Sequence, residues 1–244
     1  MTPVLFVHGL RTSRTMWRFQ EEALTRFGCP TLAVDLPGHG QLRGERFDLD
    51  GAVRAVADGV DRLGGRALVV GLSLGGYVGI AHAARHPAQV AGLVAASCCT
   101  RPLRLLVDGW SVLARGIARL PDHGAGLNQR SVDAVLSAQA ATDVAAGGFA
   151  LDVMDDVLSA MRAADPVGDL RRVTAPVWLV NGRYDHFRGE ERRFLSACAD
   201  GRLVILPRAT HLASLSAPMA FTRVLLDVVA ELSPSGAATP GRHR

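Results

Sequence analysis

Short apolar-rich runs recur along this chain, and between them apolar residues are spaced three and four apart. The runs are Val4-Leu5-Phe6-Val7, residues 31–35, Val69-Val70-Gly71-Leu72, and residues 90–96, 177–181 and 202–206. They are too short for helices and lack the alternation of a half-exposed strand, so they predict strands buried on both faces, as in a parallel sheet. The intervening stretches read as helices. Thr12 or Ser13 can cap one reaching about Phe27, where Gly28 and Pro30 stop it. Asp48 or Asp50 can cap a second, reaching about Leu63, with Val53, Val56, Val60 and Leu63 on one face. Others are expected over residues 77–85 and 190–198, and from Pro218 to about Leu232. Strands alternating with helices predict an α/β fold, an open, mostly parallel six-stranded sheet with helices on both faces.

Residues 100–165 break the alternation. This stretch is rich in Ala, Leu and Gly and has helical periodicity without a strand signal. One candidate face is Leu106, Trp110, Leu113 and Ile117, and another is Leu151, Met154, Val157, Leu158 and Met161. The segment is far longer than a simple crossover and predicts a helical cap between the fourth and fifth strands. The expected organisation is a core of residues 1–99 and 166–232, a cap of residues 100–165 and a disordered tail of residues 233–244.

Composition narrows the function classes. Of 244 residues, 48% are hydrophobic and 20% charged, which describes a folded globular chain. The net charge is +4, and every basic residue is an arginine, scattered instead of clustered, so no nucleic-acid surface is expected. With no apolar run long enough to span a bilayer and no basic leader, the expected location is cytoplasmic, without membrane association. Cys29, Cys98, Cys99 and Cys198 lack metal-ligand spacing and read as free, mostly buried thiols.

The chemistry centres on Gly71-Leu72-Ser73-Leu74-Gly75-Gly76, an apolar strand that ends in Gly-x-Ser-x-Gly and runs into a helix. That context suits a nucleophile on a sharp turn, with glycines where side chains would collide. Asp185, in Gly182-Arg183-Tyr184-Asp185, follows the fifth strand, and His211, in Ala209-Thr210-His211-Leu212, follows the sixth. In an open parallel sheet these loops share one edge. A serine hydroxyl is a weak nucleophile at neutral pH, so an imidazole must take its proton and a carboxylate must orient the imidazole. The expected catalytic residues are therefore Ser73, His211 and Asp185, with the backbone N–H groups of Leu10 and Leu74 as oxyanion donors. Asp165, before Pro166, is a turn signal and a distant second choice for the acid. His8 and His39 are expected to shape loops, and His82 and His86 to sit on the helix after Ser73. Gly38-His39-Gly40 does not complete a dinucleotide fingerprint. No metal and no cofactor are expected.

Through His8-Gly9, residues 35–40, residues 71–76, residues 182–185 and His211, the sequence resembles the α/β-hydrolase superfamily over roughly residues 4–232. The similar branch is that of small capped serine hydrolases, which includes carboxylesterases, lactonases and carbon–carbon bond hydrolases. The resemblance implies that Leu10 is an oxyanion residue and that residues 100–165 are a lid over an acyl pocket. One departure is that the family usually has one or two strands before the His-Gly strand, for which there is no chain here. A smaller sheet with an exposed edge is implied, in a monomer or homodimer. The expected activity is cofactor-free hydrolysis of a carboxylic ester or lactone of a small, mostly apolar acyl group, through an acyl-enzyme. Acyl transfer, or lyase and carbon–carbon hydrolase chemistry, is the alternative; a receptor on the same scaffold would show no turnover. Trp110, Leu113, Met154 and Leu158 are the expected substrate-binding residues, and their apolar character predicts neutral esters.

Overall fold

In the computed structural model, which describes residues 1–119, 126, 130, 132 and 136–233 without the side chains of residues 104, 106, 113 and 118, the six runs become strands. These are β1 (Val4–Val7), β2 (Thr31–Val34), β3 (Ala67–Leu72), β4 (Val90–Ala96), β5 (Val177–Gly182) and β6 (Gly201–Leu206). All pair in parallel, in the spatial order β2-β1-β3-β4-β5-β6. The order reverses direction at β1, so the crevice between the ends of β1 and β3 is where such a sheet offers a site.

The uninterrupted apolar runs have a structural reason. Leu5 and Val7 enter one core, with Ala52, Val56 and Val60 of α2 (Leu49–Arg62) and the buried face of α3 (Leu74–Arg85) in the same cluster. Val4 and Phe6 enter the other, with Leu24 of α1 (Arg18–Arg26) and, from the chain's end, Phe221 and Leu225. Each strand thus needs apolar groups on both faces. At the outer edge, β6 is only half-buried, and Arg202 lies 4.8 Å over the Trp178 ring while pairing with Asp200 and Glu231. A charged residue there discourages another strand from adding to the edge.

Between β4 and β5 lie α4 (Arg104–Ala118), α5 (Ala138–Ala145), α6 (Met154–Met161) and the short α7 (Pro166–Leu170). The face expected on α6 is buried, and its Met154 and Leu158 pack with Val107, Ala114 and Leu10. The side chains of Leu106 and Leu113, and residues 234–244 of the expected tail, lie outside the described residues. After β5 come α8 (Glu191–Ala197), the single turn α9 (Ala213–Ser216) and α10 (Pro218–Leu232). Among the described residues no helix is long and apolar enough to cross a membrane.

Local expectations needed three adjustments. Ser13 caps a 3-10 turn over Arg14–Trp17, and α1 starts only at Arg18, because Met16 and Trp17 are drawn into the core against Phe6. Of the two candidate caps for α2, Asp48 accepts the Gly51 N–H at 2.6 Å and Asp50 instead pairs with Arg85. The helix after Ser73 begins immediately, at Leu74, several residues earlier than its pattern suggested.

The turn at the end of β3 leaves no room for a side chain at Gly71. A Cβ on Gly71 would stand 2.1 Å from the Gly75 carbonyl oxygen, which cannot rotate away. Gly109, on α4, faces nothing within 4 Å. Gly71→Ala is expected to destabilise the fold by about 3 kcal/mol or more, whereas Gly109→Ala should stabilise it by about 0.5–1 kcal/mol. Urea denaturation of both variants is the check, and an innocuous Gly71→Ala would contradict the described turn.

Candidate active site

Ser73 stands at the junction of β3 and α3 with φ 54° and ψ −114°, a conformation that costs a non-glycine residue about 1–3 kcal/mol. The neighbours over-determine it. The Ser73 N–H donates to the Ala96 carbonyl at 2.8 Å, and the Ser73 carbonyl accepts from the amides of Gly76 and Tyr77 at 2.9 and 3.1 Å. Gly75 lets α3 approach the end of β1, since a Cβ there would lie 2.2 Å from the Val7 carbonyl oxygen. The result is a hydroxyl lifted off the sheet with the N-terminus of α3 behind it, where partial positive charge gathers.

Two loops bring the other groups to that hydroxyl. Asp185 follows β5, and its loop is stitched to the β6 side by Arg183 N–H to Leu206 O at 2.9 Å and Tyr184 N–H to Ala209 O at 3.0 Å. Gly182 permits this, as its Cβ would meet the Thr210 carbonyl oxygen at 2.3 Å. His211 lies 3.0 Å through Nε2 from Ser73 Oγ and 2.9 Å through Nδ1 from Asp185 Oδ1. A carboxylate only accepts, so Nδ1 carries the proton and Nε2 is left to accept from the serine. The His211 ring is also packed by His186 and Phe187, whose centroids lie 4.8 and 4.9 Å away.

Asp185 is buried, which by itself would raise its pKa. The hydrogen bond and charge of His211, the Phe187 N–H at 2.8 Å and the nearby Ser97 hydroxyl outweigh that burial and leave the carboxyl below its ordinary range. Ser97 is itself buried at φ 55°, and Asn181 Oδ1 accepts its N–H at 3.2 Å. The alternative acid, Asp165, instead caps α7 by accepting the Gly168 N–H at 3.0 Å.

On the β1 side, His8 and His39 hold the loop through ring nitrogens. His8 Nε2 accepts the Leu36 N–H at 3.0 Å, and His39 Nε2 accepts the Arg11 N–H at 3.3 Å. Their Nδ1 atoms face the carbonyls of Gly9 and Pro37 at 2.8 and 3.0 Å. Both rings must be neutral to do this. Burial, and for His8 the neighbouring His39, lower their pKa values, that of His8 to about 3. Asp35 ties the same loop by accepting the Arg14 and Gln41 amides at 2.7 and 3.0 Å and the Arg14 guanidinium. This leaves the N–H groups of Leu10 and Leu74, both beside Ser73 on the cavity wall, with no hydrogen-bond partner among the described residues.

The site opens on a cavity of about 470 Å³. Trp110, Met154 and Leu158 line it as expected, while the Leu113 side chain lies outside the described residues. Several lining residues were not anticipated, among them Arg11, Tyr77, Arg101, His186 and Phe187. The signal was adjacency: Arg11 follows Leu10, and His186-Phe187 follows Asp185. Ligand atoms of Asp185, His186 and His211 fall within 4.8 Å of one another. A metal there would have to break the Asp185–His211 hydrogen bond. His82 and His86 stack at 5.1 Å on α3 and its C-cap. The thiols are free, and burial pushes that of Cys99 up to about 12.

Comparison with known proteins identifies the family and the fold. The model of a family described as the alpha/beta hydrolase family matches residues 4–224. A pimeloyl-[acyl-carrier protein] methyl ester esterase from Neisseria meningitidis serogroup C is 29% identical over 249 residues, covering 93% of this chain and 93% of that protein. A hydrolase of solved structure from Pseudomonas aeruginosa is 25% identical with a TM-score of 0.77, over 93% of this chain and 90% of its own. A thermophilic esterase from Thermogutta terrifontis shares the fold, with a TM-score of 0.76 at 21% identity over 95% and 90% of the two chains.

The depressed pKa of Asp185 links to stability. A carboxyl held below its unfolded value contributes stability that is fully present above the unfolded pKa and is lost as pH falls through the folded one. The stability gap between the native chain and Asp185→Asn should therefore be larger at about pH 7 than at about pH 3. Chemical denaturation at both pH values tests this, and a gap that widens on acidification would refute it.

Proposed function

Because the chain belongs to the alpha/beta hydrolase family, as an ester-hydrolysing enzyme of it, we propose that Ser73, His211 and Asp185 cleave a carboxylic ester or lactone through an acyl-enzyme. The observation that carries this reading is the unbroken relay from Asp185 Oδ1 through both nitrogens of His211 to Ser73 Oγ, opening on a largely apolar cavity.

In this mechanism Ser73 Oγ attacks the ester carbonyl while His211 Nε2 takes the hydroxyl proton. Asp185 stabilises the resulting imidazolium. The tetrahedral oxyanion is received by the free N–H groups of Leu10 and Leu74, aided by the N-terminus of α3. His211 then gives its proton to the departing alcohol. Water, deprotonated by the same ring, repeats the attack on the acyl-enzyme and releases the acid. No step calls for a cofactor.

The described part of residues 100–165 acts as the cap in this reading, with α4 and α6 contributing Val107, Trp110, Met154 and Leu158 to the cavity wall. An apolar wall suits a hydrocarbon acyl chain. The meningococcal relative's name, a methyl ester esterase for a pimeloyl group on acyl-carrier protein, supports an ester with a small alcohol whose acyl part fills the cavity.

A fluorophosphonate probe is expected to label Ser73, and Ser73→Ala should lose both the label and nearly all turnover of nitrophenyl and methyl esters. Asp185→Asn should lower kcat by about three to four orders of magnitude, and Asp165→Asn far less. A panel of esters, lactones, thioesters and anilides, with peptide mapping of the adduct, is the measurement. Labelling at another residue, or a reversed order of the two Asp variants, would overturn the assignment; labelling without hydrolysis of any panel member would favour acyl transfer or lyase chemistry.

A further inference from the structure

Arg11 is the cavity-lining residue whose place the proposed mechanism does not explain. Its backbone is fixed on both sides, the N–H donating to His39 Nε2 at 3.3 Å and the carbonyl accepting the Ala150 N–H at 3.0 Å. Its φ is 67°, in the left-handed region where glycine would sit without strain. The chain therefore carries a strained residue whose only advantage over glycine is its side chain. That side chain is half-buried on the cavity wall, and its Nε is buried without any hydrogen-bond partner.

Neither a carboxylate nor an aromatic ring among the described residues engages this guanidinium. Asp35, the acid of the same loop region, is already taken by the amides of Arg14 and Gln41 and by the Arg14 side chain. Arg101, the other arginine at the cavity, is held by both oxygens of Glu190. Burial alone lowers the pKa of Arg11, with no neighbouring acid opposing it. A half-buried guanidinium with no acid partner among the described residues is a poor structural element and a good receptor for an oxyanion.

We infer that Arg11 receives an anionic group of the substrate, a carboxylate or phosphate-type oxyanion placed within a side chain's reach of the scissile carbonyl. The position follows from the chain, because Leu10, the preceding residue, holds the N–H proposed for the reacting carbonyl oxygen. The inference rests on the hydrolase reading, and it narrows the substrate from any apolar ester to one that is charged at one point and apolar elsewhere. It departs from the expectation of neutral esters drawn from the cap residues alone, since Arg11 comes from the core.

The test compares monomethyl succinate, glutarate and suberate with methyl butyrate, valerate and octanoate, and adds the phosphonate analogue of monomethyl glutarate. For the native chain kcat/KM should favour at least one charged ester over its neutral counterpart by about tenfold or more, the size of one well-placed charge-assisted hydrogen bond. The carboxylate and phosphonate arms show which oxyanion is preferred. Arg11→Gln should abolish that ratio, chiefly through KM, and Arg11→Lys should restore part of it. Calorimetric binding of the same ligands to Ser73→Ala, with and without Arg11→Gln, reads the preference without turnover. Equal binding of charged and neutral esters, or an Arg11→Gln variant that weakens both alike, overturns the inference. A charged-ligand preference that persists in Ser73→Ala while the native chain hydrolyses nothing overturns the hydrolase reading and leaves the anion site standing.

Discussion

The site depends on a backbone contact that excludes side chains. Where β3 turns into α3, the carbonyl of Gly75 occupies the space a Cβ on Gly71 would need, and the carbonyl of Val7 occupies that of a Cβ on Gly75. Two consecutive elements and a neighbouring strand therefore meet at backbone separation, and Ser73 is forced to φ 54° between them. The strain is sustainable because the hydrogen bonds of Ser73 to Ala96, Gly76 and Tyr77 leave the turn little else to do. A looser turn would lower the strain and lay the hydroxyl back toward the sheet.

The same economy governs the loops around it. His8 and His39 perform as structural groups what histidines at such sites often perform chemically. Buried and neutral, each presents Nε2 as an acceptor to an amide, of Leu36 and Arg11 respectively. Protonation would turn acceptor into donor and break the contact, so desolvation, which keeps them neutral, is what makes them usable as fasteners. Among the described residues the Leu10 N–H has no partner under this arrangement, which leaves it available to the cavity.

Much of this was legible in the sequence, for physical reasons that also mark where legibility ends. Strand runs declared themselves because the inner strands of a doubly covered parallel sheet are apolar on both faces. Gly71 and Gly75 declared the turn because no side chain fits at either, with Ser73 between them, and Asp185 and His211 could be found because strand ends share one edge. Helix starts were less visible. The 3-10 turn at Arg14–Trp17 is set by burial of Met16 and Trp17, a tertiary demand with no local signature, and α3 begins at Leu74 because the turn before it is so abrupt. The polar side of the cavity was missed for a similar reason. Arg11, Tyr77 and His186 line it through loop and helix geometry, and sequence spacing does not state which way a loop residue points.

Electrostatics sets what kind of substrate such a cavity accepts. Asp185 is held by His211 and the Phe187 amide, both through Oδ1, which keeps its carboxylate directed at the histidine. His186 is held toward its neutral form, first by burial and then by the nearby His211, so it adds no permanent positive charge next to the proton relay. Arg101 is spent on Glu190. Among the described residues at the cavity, the guanidinium of Arg11 is the one arginine group with no acid partner. An anion bound there would be placed by its charge, while its hydrocarbon part is placed by the apolar wall. In the proposed reading, two such anchors of different kind would fix both the position and the direction of a flexible ester and so hold its carbonyl against the Ser73 hydroxyl.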